Sequence, residues 1–222
     1  MATRDRGVRT RGQILRAAGE VFAERGFEGA TINEVISRTG LTRGAFYFHF
    51  PDKEALANAV LTEQVDAITV LPQQLKLQEL VDAGLVFAYR LSVDPMLQGS
   101  IRLSVERGSG LSVERDKPFH TWIDHNLGML RQAQDNGEVF PHVDTAAVAE
   151  LLVGAFSGVQ GLSEVLTGRR DLERRTAVLL SYLLPAIAVP SVLSRLDLSE
   201  GRGARMWQEA CAATEADQLA AQ

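Results

Sequence analysis

The sequence predicts an all-α protein, with a small N-terminal domain built around a helix-turn-helix and a larger C-terminal helical domain. Three observations lead there. Apolar residues recur with a 3.6-residue period in almost every segment, and no run alternates with period two. Pro51, Pro72, Pro95, Pro118 and Pro141 stand 21 to 23 residues apart, mostly beside helix-start signals, and so punctuate helices; the intervals share no sequence similarity and form no repeat. Residues 31–54 read TINEVISRTGLTRGAFYFHFPDKE: a short helix, a glycine turn, a second short helix opening on Thr-Arg-Gly, then a capped start to a third.

The elements follow in order. A first helix is expected from about Thr10 to Arg25, with Ile14, Ala18, Val21 and Phe22 on one face and Gly26 ending it. A second starts at Thr31, where Thr31 and Glu34 have capping-box spacing; Ile32, Val35 and Ile36 face inward. Gly40 supplies the turn. The third helix runs from Thr42 to His49, with Leu41, Ala45 and Phe48 inward and Arg43, Gly44 and Tyr47 outward. Phe46, Phe48 and Phe50 read as core of this small unit. Asp52 caps a fourth helix with the stripe Ala57, Val60, Leu61, Gln64 and Ile68. Longer helices are expected over 74–92, 95–107, 118–136, 145–166 and 171–187. Asp94-Pro95 and Asp144 mark starts, and Asn136-Gly137 and Gly168 mark stops. A loop opens at Gly108-Ser109-Gly110. A last helix spans about 199–213, and the final TEADQLAAQ is expected to fray. The domains are accordingly 1–54 and 55–222.

Composition excludes several classes. The chain has 222 residues, 45% hydrophobic and 23% charged, as in ordinary globular proteins. Its single cysteine, Cys211, cannot close an intrachain disulfide, and a reducing cytoplasm fits. No apolar run approaches the ~20 residues of a membrane span, so no membrane partner is expected. The basic N-terminus lacks the apolar segment of a secretory signal. An enzyme is not expected: G-x-S-x-G, a P-loop, a Rossmann glycine pattern and H-E-x-x-H are all missing. Asp124 and His125 point apart on a helix, Ser157 lies in GAFSG, and His120 and His125 are off-phase for a shared metal. Neither cofactor nor metal is expected.

The net charge of −5 is unevenly spread. Residues 1–16 hold Arg4, Arg6, Arg9, Arg11 and Arg16 against Asp5 alone. Residues 1–55 balance at +2 and the rest at −7. A basic head on an acidic body suggests one end that faces DNA. In a helix-turn-helix the start of the second helix meets base edges while the rest grips phosphates. Arg43 can donate two parallel bonds to a guanine. Thr42 can cap its helix and touch base or phosphate, and Gly44 clears space for the groove edge. Tyr47, His49 and Lys53 offer donors to phosphate, and Thr31 begins a helix whose free amides favour an anion. The arginine arm adds sequence-independent attraction. Thr31 as a plain cap, and His49 as a partner of the helix dipole, remain open alternatives.

Residues 9–64, and RGAFYFHFPDKEAL above all, resemble the DNA-binding domain of the TetR family of repressors. Phe46 stands where many members carry Leu. FHTWIDH (119–125), GEVFPHVD (137–144) and LLPAIAVPSVLSRLDLSEGRGARM (183–206) are similar to the γ-butyrolactone receptor branch. The resemblance implies a homodimeric, ligand-responsive repressor on double-stranded operator DNA, with Thr31, Thr42, Arg43, Gly44, Tyr47, His49 and Lys53 contacting DNA. The expected dimer surface is the helix pair 145–166 and 171–187, with Val148, Leu151, Leu152, Ala155, Leu172, Leu179, Leu180 and Leu183; Gly154 and Gly158 allow close approach. The residues alone make Trp122 core and Gln64 exposed. Gln64, Gln160 and Ser163 interrupt apolar stripes and can line an apolar cavity with hydrogen bonders; the resemblance places Trp122 at a small hydrophobic, lactone-like effector in such a cavity. The alternative is a pseudo-receptor answering to an antibiotic, or a ligand-blind regulator. Pseudo-receptors tend to be basic, and the pI of 5.4 favours a genuine receptor.

Overall fold

The computed structural model describes residues 2–66, 70–106 and 114–220, with side chains for all of these but 2–5, 63–66 and 217–220. Among the described residues regular structure is helical, apart from an isolated antiparallel bridge between Val139 and Ala188. The chain divides into two compact units, Met1–Ala67 with Asp94–Pro118, and Ile68–Val93 with Phe119–Gln222.

The first unit holds α1 (Ala2–Gly29), α2 (Ile32–Thr39), α3 (Arg43–His49), α4 (Lys53–Asp66) and α6 (Pro95–Val105). It is larger than the expected segment 1–54. Leu56, Ala57, Val60 and Leu61 of α4 share one apolar core with α1–α3, and Leu103 of α6 joins it. Burying those side chains is what draws α4 and α6 to this side. The arginine arm is also not a separate tail. It forms the opening turns of α1, which breaks only at Gly26 (φ 68°). Exposed Arg6, Arg9 and Arg16 line this helix, and the Arg11 guanidinium lies 5.4 Å from the centre of the Phe50 ring.

Local chemistry sets the short helices. Thr31 accepts from the Glu34 amide at 3.2 Å and Thr42 from the Ala45 amide at 3.2 Å, each capping its helix. Gly40 ends α2 in the left-handed region (φ 67°), which a glycine enters without cost. Only half of the capping box at α2 forms. The Glu34 carboxylate turns instead to Arg25 and Arg38, both at 3.4 Å. Arg38 grips Glu24 through two bonds of 2.9 and 2.6 Å, and this contact holds the Glu24 carboxyl below its ordinary range. The cluster bridges α1 and α2 at the surface, although exposed pairs of this kind add little stability.

Where α1 crosses α6 the two backbones touch. A Cβ on Gly99 would overlap the Gly19 carbonyl oxygen, and one on Gly19 would strike the Met96 backbone. Arg102 donates to the Ala23 carbonyl at 2.7 Å, and Glu106 accepts from the Phe27 amide at 2.7 Å just past the α1 break.

The second unit holds α5 (Lys76–Val93), α7 (Lys117–Asp135, from Phe119 onward), α8 (Thr145–Thr167), α9 (Leu172–Ile187), α10 (Pro190–Leu193) and α11 (Arg202–Ala220). Its core joins α5, α7, α8 and α9 through Leu77, Val81, Leu85, Leu130, Ala149 and Leu184. Buried Glu138 accepts from the Lys76 and Leu77 amides at 3.0 and 2.9 Å, so its charge sits at the positive end of α5. Asp82 of α5 is 1% exposed and takes a bidentate grip from Arg202 of α11 at 2.6 and 2.9 Å. Arg202 also binds Asp197 at 2.6 Å, and these carboxylates raise its pKa, Asp82 foremost. Far from fraying after Ala213, α11 stays helical to Ala220.

Gly99→Ala therefore forces a methyl group into a backbone contact. We expect a loss of about 1–3 kcal/mol, as for overpacked cores, seen as a lower midpoint in thermal or urea unfolding. A wild-type midpoint would refute the close crossing of α1 and α6.

Candidate nucleic-acid interface and small-molecule site

The interface starts from two phenylalanines. Phe46 and Phe50, one helical turn apart, are 0% and 3% exposed. At about 100° per residue, burying Phe46 turns Gly44 outward and Tyr47 to the flank, whereas Arg43 shares the side of Phe46 and reaches solvent from the first turn of α3. Arg43 is exposed and donates to Asn33 Oδ1 of α2 at 2.7 Å, which holds its chain across the turn and leaves other guanidinium donors to solvent. Nothing lies within 4 Å of where a Gly44 Cβ would stand. Tyr47 is half exposed, its ring edge-on to Phe46 at 5.4 Å. His49, in the last turn of α3, lies edge-on to Phe48 at 5.1 Å. Thr31 and Thr42 are exposed caps on the same reader, their hydroxyl oxygens already accepting from their own helices.

Two expectations change here. Phe48 is 83% exposed and not core, because it lies 200° around the helix from both Phe46 and Phe50. Lys53 does not stand free: its ammonium donates to the Phe27 and Ala30 carbonyls at 2.7 and 3.0 Å and sits 4.3 Å from the centre of the Phe27 ring. It ties α4 to the turn before α2. Asn33 and Phe48 are the outward residues that sequence reasoning passed over; the helical phase of Phe46 and Phe50 carried the signal for Phe48.

In the second unit, Phe87 of α5 contacts Trp122 of α7 at 4.8 Å and Phe156 of α8 at 5.4 Å between ring centres. His125 meets the Trp122 ring edge-on at 5.8 Å. Trp122 Nε1 is buried without a hydrogen-bond partner, and so is Oε1 of Gln160, one turn beyond Phe156 on α8. A buried donor and a buried acceptor, both unsatisfied and joined by an aromatic wall, are costly unless something completes them. Ser163 is differently placed. It is fully buried and donates to Asp171 at 2.6 Å, so its hydroxyl serves the α8–α9 turn and not an open site. Gln64 lies on α4, and its side chain falls outside the described residues. A separate surface cleft of about 360 Å³ is lined by Arg170, Arg174, Val178 and Leu198, and shares no residue with the aromatic cluster.

The face expected to self-associate is shifted. Leu152, Leu172 and Leu180 are buried within the chain. The exposed stripe on α8 is Leu151, Gly154, Gly158, Leu162 and Val165, and α9 adds Val178 and Tyr182. By length and composition α8 could cross a membrane, with a mean hydropathy of 1.4, against the expectation that no such segment exists. Its apolar exposure is one-sided, however, and the opposite face packs in the core. An open stripe of this kind on a helix pair suits a helix-on-helix interface.

Residues 14–60 match the family described as bacterial regulatory proteins, tetR family. The chain is 39% identical to the A-factor receptor protein of Streptomyces griseus, over 91% of this chain and 72% of that protein. It is 45% identical to full-length native TylP, a TetR regulator from Streptomyces fradiae, whose crystal structure superposes with a TM-score of 0.87 over 92% of this chain and 99% of that one. CprB of Streptomyces coelicolor, studied in complex with its biological operator sequence, is 28% identical with a TM-score of 0.68, over 84% of this chain and 93% of that one.

The α8–α9 turn yields a pH prediction. Asp171 accepts from Arg175 and Thr167, both at 2.8 Å, as well as from Ser163, and these bonds, Arg175 first, hold its carboxyl far below the ordinary range. A depressed folded-state pKa stabilises above the unfolded carboxylate value of about 4, and the gain is lost as pH falls from there through the folded value. Asp171→Asn should therefore lower the melting temperature at neutral pH, and the gap to wild type should close in strong acid. A gap independent of pH would assign the effect to packing and not to the charge.

Proposed function

The chain belongs to the TetR family of bacterial regulatory proteins, and from that membership we propose that it is a transcriptional repressor released from its operator by a small signalling molecule of the γ-butyrolactone type. It controls antibiotic biosynthesis or related secondary metabolism. It acts in the cytoplasm, by binding and not by catalysis.

The observation that carries the ligand half of this reading is the unsatisfied pair, Trp122 Nε1 and Gln160 Oε1, set beside Phe87 and Phe156. A neutral effector with an oxygen acceptor and an apolar body satisfies the indole N–H while burying itself against the rings. The free protein binds a palindromic operator as a dimer, joined through the exposed faces of α8 and α9, with two α3 readers about one DNA turn apart. Arg43 reads a base, Tyr47, His49 and the arginines of α1 hold phosphate, and Gly44 lets the groove edge approach. Lys53 contributes by fixing the turn before α2.

Release needs the effector to prefer the DNA-incompetent state, typically by ~1–3 kcal/mol. The chain supplies a covalent route. α5, which carries Phe87, passes through Asp94 directly into α6, and α6 packs with α1 and α4 of the reader unit. A displacement of α4 changes the reader spacing that a two-fold operator demands.

Two experiments test the halves separately. Arg43→Ala should cost ~1–3 kcal/mol of operator affinity and relax specificity at one base pair; an equal loss on random DNA would make Arg43 a phosphate contact. Trp122→Phe keeps an aromatic ring but removes the N–H. Operator binding in gel shift should persist, while the lactone concentration needed for release should rise by about tenfold, the value of one buried hydrogen bond to the indole. Unchanged sensitivity to lactone would remove Trp122 from the effector site.

A further inference from the structure

We propose that Phe48 reads a thymine, by seating its ring against the 5-methyl group in the major groove of the operator. The inference rests on the operator-binding reading above and adds a specificity residue to it.

Phe48 is 83% exposed, the most exposed of the large apolar side chains in the first unit. A phenyl ring held in water is unfavourable, and scattered apolar residues on a surface are usually smaller or half covered. Its place on α3 is specific. Buried Phe46 marks the inner side of the helix, and Gly44 and Phe48, one turn apart, straddle the opposite side. Tyr47 and then Arg43 lie to one side of them and His49 to the other. The outward surface of the reader is thus an apolar centre with polar donors beside it. Gly44 has no neighbour within 4 Å of a Cβ position, so one face of the Phe48 ring is open to whatever meets the helix. The His49 ring, edge-on at 5.1 Å, supports the other side.

The frame of Arg43, Tyr47, Thr42 and the arginine-bearing start of α1 fits a polyanion and not an apolar protein surface. Among the groups that DNA shows in its major groove, the thymine methyl is the protruding apolar one; the cytosine C5–H at the matching position is flush with the ring, and the rest of the code is hydrogen-bond donors and acceptors. Of the base-edge groups, this methyl group is the best match for an exposed phenyl in that frame. A deoxyribose contact would also bury the ring but would carry no base preference.

The test uses the full-length protein and a duplex it selects from a randomised pool. Each thymine of the selected half-site is replaced in turn by deoxyuridine, which deletes only the methyl group. One replacement should weaken wild-type binding about fourfold per half-site, the worth of one buried methyl. Phe48→Ala should bind the thymine and deoxyuridine duplexes equally, and Phe48→Leu should keep part of the difference. Because Phe48 is exposed, both variants should melt as wild type does. The inference is overturned if wild type tolerates every deoxyuridine, if its selected half-site holds no thymine, or if Phe48→Ala retains the full penalty. A Phe48→Ala loss equal on all sequences assigns the ring to the sugar-phosphate backbone. Failure to select any duplex would instead defeat the operator-binding reading itself, and this inference with it.

Discussion

The burial of Phe46 and Phe50 governs the first unit. Two rings one turn apart leave a seven-residue helix a single orientation in which both are dry. Gly44 and Phe48, opposite Phe46 on the helix, inherit their outward direction from that constraint. The supporting contacts are of the same kind: the Phe22 and Phe27 rings stack at 6.1 Å, Lys53 bonds the carbonyls beside Phe27, and Arg11 lies over Phe50. Hydrophobic burial sets the orientation, and charges that reach backbone carbonyls then lock the turn between α1 and α2. These contacts pre-organise α3, and pre-organisation lowers the cost of any binding made through it.

The second unit is organised by charges placed inside. Glu138 ends α5 in water's stead, and Asp82, Arg202 and Asp197 fasten α11 to it. Removing one partner of such a buried pair typically costs about 3–5 kcal/mol, because the other charge is stranded. These groups are all satisfied. Against that background three idle buried atoms stand out among the described residues, Trp122 Nε1, Gln160 Oε1 and Arg169 Nε, and the first two lie beside the aromatic cluster.

Local chemistry was legible in the sequence, and non-local chemistry was not. The caps Thr31, Thr42, Asp52, Asp94 and Asp144 and the left-handed Gly40 and Gly168 sit where side-chain reach and backbone preference put them. Helix bounds followed within a few residues except at the start of α1 and the end of α11, where the helices run on through segments expected to be unstructured. The return of α6 to the reader unit could not be read, since a helix does not declare which of two cores it will join. Lys53 looked like a free cation because its carbonyl partners lie over twenty residues away. Ser163 looked like pocket lining for the same reason, its Asp171 lying across a turn. On α8 the sequence offered apolar residues on several faces, and only packing decided that Leu152 turns in while Leu151 and Val165 stay out. Phe48 is the exception: its phase was computable, and the habit of counting aromatics as interior concealed it.

The crossing of Gly19 and Gly99 has a mechanical meaning. Most helix pairs are cushioned by side chains, whose rotamers yield when one partner shifts and so damp the movement. Here Gly99 rests directly on the Gly19 main chain, with the Met96 side chain alongside, so little padding separates the two helices at the point of contact. Any tilt of α6 is handed to α1 undamped, and α1 carries both the basic opening turns and the apolar floor under the reader. The joint works as a fulcrum. A close joint of this kind leaves few ways for α6 to tilt without carrying α1 with it.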